Sequence, residues 1–255
     1  MTSQSSKPPL VFYRTGPMPC PYLHGRVERN LFTELRGPSA HDLHDNLARA
    51  GFRRSHHIVY RPACPDCARC IPVRIVAGRF SASASQRRIL NRNRDLAVEV
   101  LPPEATDEQF DMFIHYQQTR HGGGEMAAMT ASDYRSMVED TTVDTQMIEF
   151  RDGGGKLVAA CLVDCLSDGF SAVYSFFDST AQNRSLGTYM ILWLIERTIR
   201  RDHTHVYLGY WISESVKMSY KMRFRPIEAL GPDGWEIMEE FPPEPLAGSQ
   251  SGQSE

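Results

Sequence analysis

The chain has 255 residues, 41% hydrophobic and 10% aromatic, enough for one large domain or two small ones with a full core. Its formal net charge of −3 excludes a general nucleic-acid coat protein, although Arg87, Arg88, Arg92 and Arg94 form a local basic run. No run reaches the roughly 18–20 apolar residues of a membrane helix, and the polar start MTSQSSKPP lacks a hydrophobic signal core, so a cytoplasmic protein is expected.

In chain order, residues 1–9 read as a disordered start, followed by strands at VFYRT, LFTEL, HIVYR and IPVRIVA. A helix over AHDLHDNLARA intervenes, with Ser39 as its cap and Gly51 at the position of a left-handed stop. Strand AVEVL precedes Pro102–Pro103, the expected boundary between an N-terminal module (1–102) and a C-terminal one (103–246). The Thr106 and Gln109 pair forms a capping box before FDMFIHYQQ, and Thr130 caps ASDYRSMVED. TQMIEFR and KLVAACLVDCL are strands joined by the turn RDGGGK, and FSAVYSFFD follows them. The apolar helix LGTYMILWLIERTI, strand HVYLG, a helix over SESVKMSYKM and strands PIEAL and GWEIM complete the fold. PPEPL then ends the folded part, and 247–255 read as a disordered tail. Hairpins dominate, so the expected class is α+β rather than a doubly wound parallel sheet.

Two stretches carry chemistry. RPACPDCARC places Cys64, Cys67 and Cys70 at metal-ligand spacing, and Cys20 in PCPYLHGRVERN supplies a fourth thiol. A structural zinc or an iron–sulfur cluster would accept such a set, with His24, His56 and His57 as alternative ligands. Cys161 and Cys165, on an apolar strand, read as small buried hydrophobes. In the C-terminal half, Arg184, Ser185, Gly187 and Thr188 open the apolar helix, where free N–H groups and the helix dipole favour a phosphate. Beyond it, Tyr210 and Trp211 end an aromatic strand. On the helix that follows, Lys217 and Lys221 are spaced i, i+4 on one face, with Tyr220 at its edge.

SLGTY, YLGYWI and KMSYK, together with CPYLHGRVERNLFTEL and GFRRSHHIVYRPACPDCARCIPVRI, resemble the aminoacyl-tRNA:protein transferase family from about Val11 to Leu230. The compact length is similar to that of its bacterial leucyl branch. The resemblance implies a GNAT-like acyltransferase fold with an N-terminal cysteine-containing module. It also implies transfer of leucine from leucyl-tRNA to proteins beginning with Asp or Glu, which marks them for degradation. Eukaryotic relatives carry C-x-x-C where this chain has Cys20 and Leu23. Arginyl transfer and acetyl-CoA-dependent N-acetylation are the alternatives, the second disfavoured by the bulk of Tyr189 where a pyrophosphate loop has a small residue.

The chemistry implied needs little from the protein, because an aminoacyl ester is already activated and an α-amino group has a pKa of about 7.7–8. No cofactor is required for transfer. Positioning and oxyanion donors should supply the rate. Asp178 is a candidate to orient or deprotonate the amine, and Tyr210, Tyr220, Lys217 and Lys221 are candidate donors. Arg184, Ser185, Gly187, Thr188, Trp211, Arg87 and Arg88 are candidates for the donor tRNA. Arg74, Arg87 and Arg88 are candidates for the acceptor carboxylate, which a planar guanidinium binds best.

Overall fold

A computed structural model describes residues 10–122 and 124–238. The expected ends at 1–9 and 247–255 and the PPEPL stop lie outside the described residues. Strands β1 (Tyr13–Arg14), β2 (Met18–Pro19), β3 (Val27–Glu28) and β4 (Asn30–Glu34) lead to helix α1 (Ala40–Arg49). Then come β5 (Arg53–Ser55), β6 (Ile58–Pro62), β7 (Ile71–Val76), α2 (Ala84–Arg92) and β8 (Ala97–Leu101). The remainder is α3 (Asp107–His121), α4 (Ala131–Glu139), β9 (Thr145–Arg151), β10 (Leu157–Leu166), β11 (Gly169–Phe177), α5 (Leu186–Arg200), β12 (His205–Trp211), β13 (Ile227–Gly231) and β14 (Gly234–Ile237).

Capping residues set the helix starts. The expected Thr106 box and the Thr130 cap both form, and the Thr130 cap is itself a box with Asp133: each hydroxyl accepts from the backbone N–H three residues on. An equivalent box, Ser83 with Gln86, starts α2. Ser39 occupies the cap position of α1 but its side chain makes no capping bond. Gly51 adopts φ +82° after α1, and a Cβ there would lie 2.6 Å from Leu230, so the stop needs glycine for both conformation and space.

The main sheet has eight strands in the order β14-β13-β7-β12-β11-β10-β9-β8, and a four-stranded sheet has the order β1-β4-β6-β5. Strands from both sides of Pro102–Pro103 enter the large sheet, β7 near its middle and β8 at its edge. Pairing is antiparallel except between β11 and β12, which α5 connects. The result is the mixed α+β class expected.

Residue alternation divides the core between the two faces. Ile148, Cys161, Val163, Phe170, Leu208 and Trp211 pack under α5, whose Leu186, Tyr189, Leu192 and Ile195 are buried against them. A fully buried side chain of this size contributes about 1.5–3 kcal/mol, so this face anchors α5 firmly. On the opposite face Met147, Ala160, Leu162 and Phe176 pack against Phe113 of α3 and Tyr134 of α4. Beside them, Ala48 of α1 meets Leu166 and Tyr207. Helix α1 therefore sits beside the α3–α4 layer on one face of the sheet, while α2 packs with α5 on the other.

Candidate active site

β11 and β12 pair only through Gly169–Ser171 against His205–Tyr207. Beyond that rung β11 follows β10 to Phe177 and β12 follows β7 to Trp211, so the strands part and leave a wedge. Carbonyls past the last rung need other donors. On the β11 side, Arg53 Nη2 donates to Val173 O at 2.6 Å and Ala172 O at 3.5 Å. On the β12 side, Lys221 Nζ donates to Leu208 O at 2.8 Å and to Tyr210 O. Gly209, at φ +71°, makes room for this: a Cβ there would come within 2.8 Å of Arg53 Nη1.

Lys221 is 5% exposed. Burial, and then the positive charge of Arg53, lowers its pKa to about 7. In its neutral form both N–H groups are engaged by the two carbonyls, which leaves the nitrogen lone pair to accept a proton. Four tyrosines ring the same charge. Burial raises the pKa of Tyr22, Tyr174, Tyr210 and Tyr220, and Arg53 is among the groups pulling each back down. Gln117 of α3 donates to the Tyr174 hydroxyl, closing the far wall. At the open end, Phe177 stacks with Tyr116 at 4.9 Å, and a Cβ on Gly187 would lie 3.1 Å from the Phe177 ring. The start of α5 therefore meets the wedge mouth at Phe177.

The sequence candidates separate accordingly. Lys221 and Tyr220 flank the wedge, and the Tyr220 hydroxyl has no hydrogen-bond partner among the described residues. Lys217 does not join them, because Val216–Arg223 is a 3₁₀ segment rather than an α-helix. With about three residues per turn, positions i and i+4 lie roughly 120° apart, so Lys217 is exposed while Lys221 is buried. The Tyr210 hydroxyl is already within reach of the carbonyls of Tyr60 (2.9 Å) and Gly51 (3.1 Å), so it pins the small sheet to β12. Trp211 is 1% exposed in the core and offers no surface to a ligand. For Asp178, burial is outweighed by bonds from Thr180 and Lys156, which hold its carboxyl below the usual range and make it a weak base.

Ser185 caps α5 in a left-handed conformation (φ 53°) with no side-chain capping bond, and Gly187 and Thr188 form the first turn. Arg184 grips Asp95 through two bonds of 2.9 and 2.8 Å. Arg87 and Arg88 are exposed on α2, which is tied to the α5 approach by Arg92 donating to Asn183 O. Arg74 is committed elsewhere: Glu228 at 2.7 Å, the Tyr207 hydroxyl at 3.0 Å and the Trp235 ring at 4.3 Å take up its guanidinium. Tyr189 turns into the core against Phe150, at 5.6 Å, so its bulk does not crowd the helix mouth and the steric argument against acetyl-CoA falls away. Sequence reasoning missed Arg53; its only signal was the Arg-Arg pair at 53–54, which by itself does not say which arginine faces the sheet.

A second cavity adjoins the wedge through Tyr60 and Tyr210, with about 660 Å³ of space open to solvent. Cys20, Cys64, Cys67 and Cys70 all line it, with Tyr22, Arg26 and Glu28. All four cysteines are unpaired. Cys20 and Cys64 sulfurs accept backbone N–H groups of Leu23 (3.4 Å) and Arg29 (3.5 Å). Burial, and then the other three thiols, push the Cys70 pKa up to about 12. Among the described residues no group of three or more His, Cys, Asp or Glu side chains is arranged to hold a metal ion. Cys161 and Cys165 are buried as expected.

An otherwise antiparallel sheet that parts at one central parallel pair, bridged by a helix whose start meets the splay, is a GNAT-like frame. Residues 18–88 match the family Arginine-tRNA-protein transferase, N terminus, and residues 108–231 match Arginine-tRNA-protein transferase, C terminus. The chain is 57% identical to the aspartate/glutamate leucyltransferase of Rhodospirillum rubrum, over 91% of this chain and 95% of that protein. It is 52% identical to the same-named protein of Gluconacetobacter diazotrophicus, over 92% and 90%. The chain therefore belongs to the aminoacyl-tRNA:protein transferase family, whose members are aminoacyltransferases. Among solved structures, FemX overlays 79% of this chain and 68% of its own at a TM-score of 0.46 and 9% identity.

Proposed function

We propose that this protein transfers leucine from leucyl-tRNA to the α-amino group of polypeptides beginning with Asp or Glu, in the cytoplasm, and that the products are thereby marked for degradation. The names of relatives 57% and 52% identical over nine-tenths of the chain support leucine as the donor's amino acid. In structural terms the reading rests on one observation, a buried lysine that donates to two β12 carbonyls where the two strands part. Among the described residues no helix is long and apolar enough to cross a membrane.

On this reading the aminoacyl end of the tRNA enters past the start of α5, with α2 and its exposed Arg87 and Arg88 beside the acceptor-stem phosphates. The acceptor amine attacks the ester carbonyl in the wedge. Carbon–nitrogen bond formation and carbon–oxygen bond cleavage leave the ribose hydroxyl as leaving group. Lys221, its pKa lowered by burial, accepts the proton that the amine sheds and can return it to the ribose oxygen. The Tyr220 hydroxyl donates to the developing oxyanion. Neither step asks for a cofactor.

The test is purified protein mixed with an Asp-initiated peptide and tRNA charged with labelled leucine or arginine, and with acetyl-CoA in a parallel reaction. Leucine transfer is expected. Arginine transfer without leucine transfer, or acetylation alone, would replace this reading with the corresponding alternative.

A further inference from the structure

Electrostatic balance around the wedge singles out Arg53. Three other arginines around the sheet have an internal anion, and Arg197 is held by Gln146 and the Trp193 ring. Arg54 is paired with Asp164 at 2.7 Å, Arg74 with Glu228 at 2.7 Å and Arg184 with Asp95 at 2.8 Å. The Arg53 guanidinium has only the carbonyls of Ala172 and Val173, both through Nη2. Its Nε and Nη1 donors have no protein partner among the described residues. Five donors in a rigid fork, half-buried and without a carboxylate, make a site one negative charge short. Its surroundings sharpen that deficit. The groups that feel its charge are tyrosines and Lys221, the last 5% exposed, and none of them supplies an anion at neutral pH.

We infer that the Arg53 fork, aimed between β11 and β12 beside Lys221, is the reader of the acceptor's side-chain carboxylate. The ligand class is a polypeptide N-terminus whose first side chain ends in a carboxylate. This rests on the acceptor proposed above, and it assigns the recognition to a residue outside the sequence candidates. The carboxylate takes up guanidinium donors that the strand carbonyls leave open, and Nη2 stays on those carbonyls, so the guanidinium is held in place before the acceptor arrives. The neighbouring α-amino group then falls on the Lys221 side of the wedge. A neutral amide in place of the carboxylate would leave the charge unmatched, so Asn- and Gln-initiated chains are discriminated against by electrostatics rather than by size.

Binding decides the matter independently of transfer. Labelled peptides differing only in Asp or Asn at the first position are titrated by fluorescence anisotropy against the full chain, its Arg53→Gln and Arg53→Lys variants, and Arg26→Gln, which alters the arginine lining the cysteine cavity. The wild type should prefer the Asp peptide, and Arg53→Gln should weaken it about 10- to 100-fold with the Asn peptide unchanged. Arg53→Lys keeps the charge but not the fork and should fall between. Arg26→Gln should keep the preference. Absence of preference in the wild type, an undiminished preference in Arg53→Gln, or equal loss for both peptides would overturn the inference. If Arg53→Gln unfolds, as its far-ultraviolet circular dichroism would reveal, the Arg53→Lys titration decides: an unchanged preference there overturns the assignment. Leucine transfer is scored separately on the wild type. An Arg53-dependent preference without leucine transfer would keep this inference and discard the leucyl donor.

Discussion

Arg53 and Arg54 are neighbours on β5 with opposite fates. Strand alternation sends them to opposite sides. Arg54 is 3% exposed and donates to both carboxylate oxygens of Asp164 at 2.7 Å, and to the carbonyl of His56 at 2.8 Å. Thr145 donates to the same carboxylate, and His44 Nε2 lies 3.5 Å from it. Burial, together with the charge of Arg54, keeps His44 below its ordinary pKa although Asp164 acts the other way. This cluster joins α1, β5, β9 and β10 into a lock between the N-terminal module and the sheet. Arg53 meets only carbonyls and carries its charge into the wedge. Arg54, with its own anion, fixes structure, whereas Arg53 is the residue proposed above to meet a ligand carboxylate.

The largest expected effect breaks the structural side of this pair. Asp164→Asn would strand a buried guanidinium, and losing one partner of such a pair costs about 3–5 kcal/mol. Urea unfolding should register that loss, with transfer per folded molecule little changed. A loss below about 1 kcal/mol would mean that the lock contributes far less than its geometry implies.

Next in size is the chemical side. Lys221→Met should lower the turnover number for transfer about 10²- to 10⁴-fold, the range for a lost proton-transfer group, while binding of leucyl-tRNA measured by filter retention is retained. Its titration is directly observable, because the chain has only four lysines: Lys7, Lys156, Lys217 and Lys221. With ¹³C-lysine labelling, the Lys221 ε-carbon should titrate near pH 7. The folded pKa lies below the unfolded value of 10.5. Between about 7 and 10.5 the unfolded chain holds a proton that the native state has released, so stability rises with pH across that window; below it, the folded protein carries a buried charge. Lys221→Met should flatten this slope in unfolding measurements made at several pH values. A Lys221 resonance that stays in the charged position up to pH 9 would remove the base from the mechanism.

Much of the frame was legible because its signals are local. Strand alternation located β6 to β14 closely, the Thr106 and Thr130 capping boxes fixed two helix starts, and Gly51 ended α1. The site was only partly legible because its determinants are relational. Nothing local distinguishes Arg53 from Arg54, since only the position of Asp164, 110 residues later, settles which one is neutralised. Trp211 looked available because an aromatic strand end resembles a ligand platform, yet the pleat turns it under α5. Arg74 looked free because Glu228, 154 residues away, lies on another strand. Short two-residue strands such as β2 and β3 have too little pattern to detect.

The smallest effect concerns the segment after β12, where local spacing and observed geometry part most clearly. Lys217 and Lys221 share a face only if Val216–Arg223 is α-helical; as a 3₁₀ segment it leaves Lys217 in solvent and turns Lys221 under the β12 carbonyls. Lys217→Ala should therefore change transfer by less than about twofold, as surface substitutions away from structural features generally do. The comparison with Lys221→Met is the informative quantity. If Lys217→Ala lowered turnover as far as Lys221→Met, both ammonium groups would have to reach the reacting ester. The segment would then be α-helical with leucyl-tRNA bound, and the wedge would be rebuilt around two lysines instead of one.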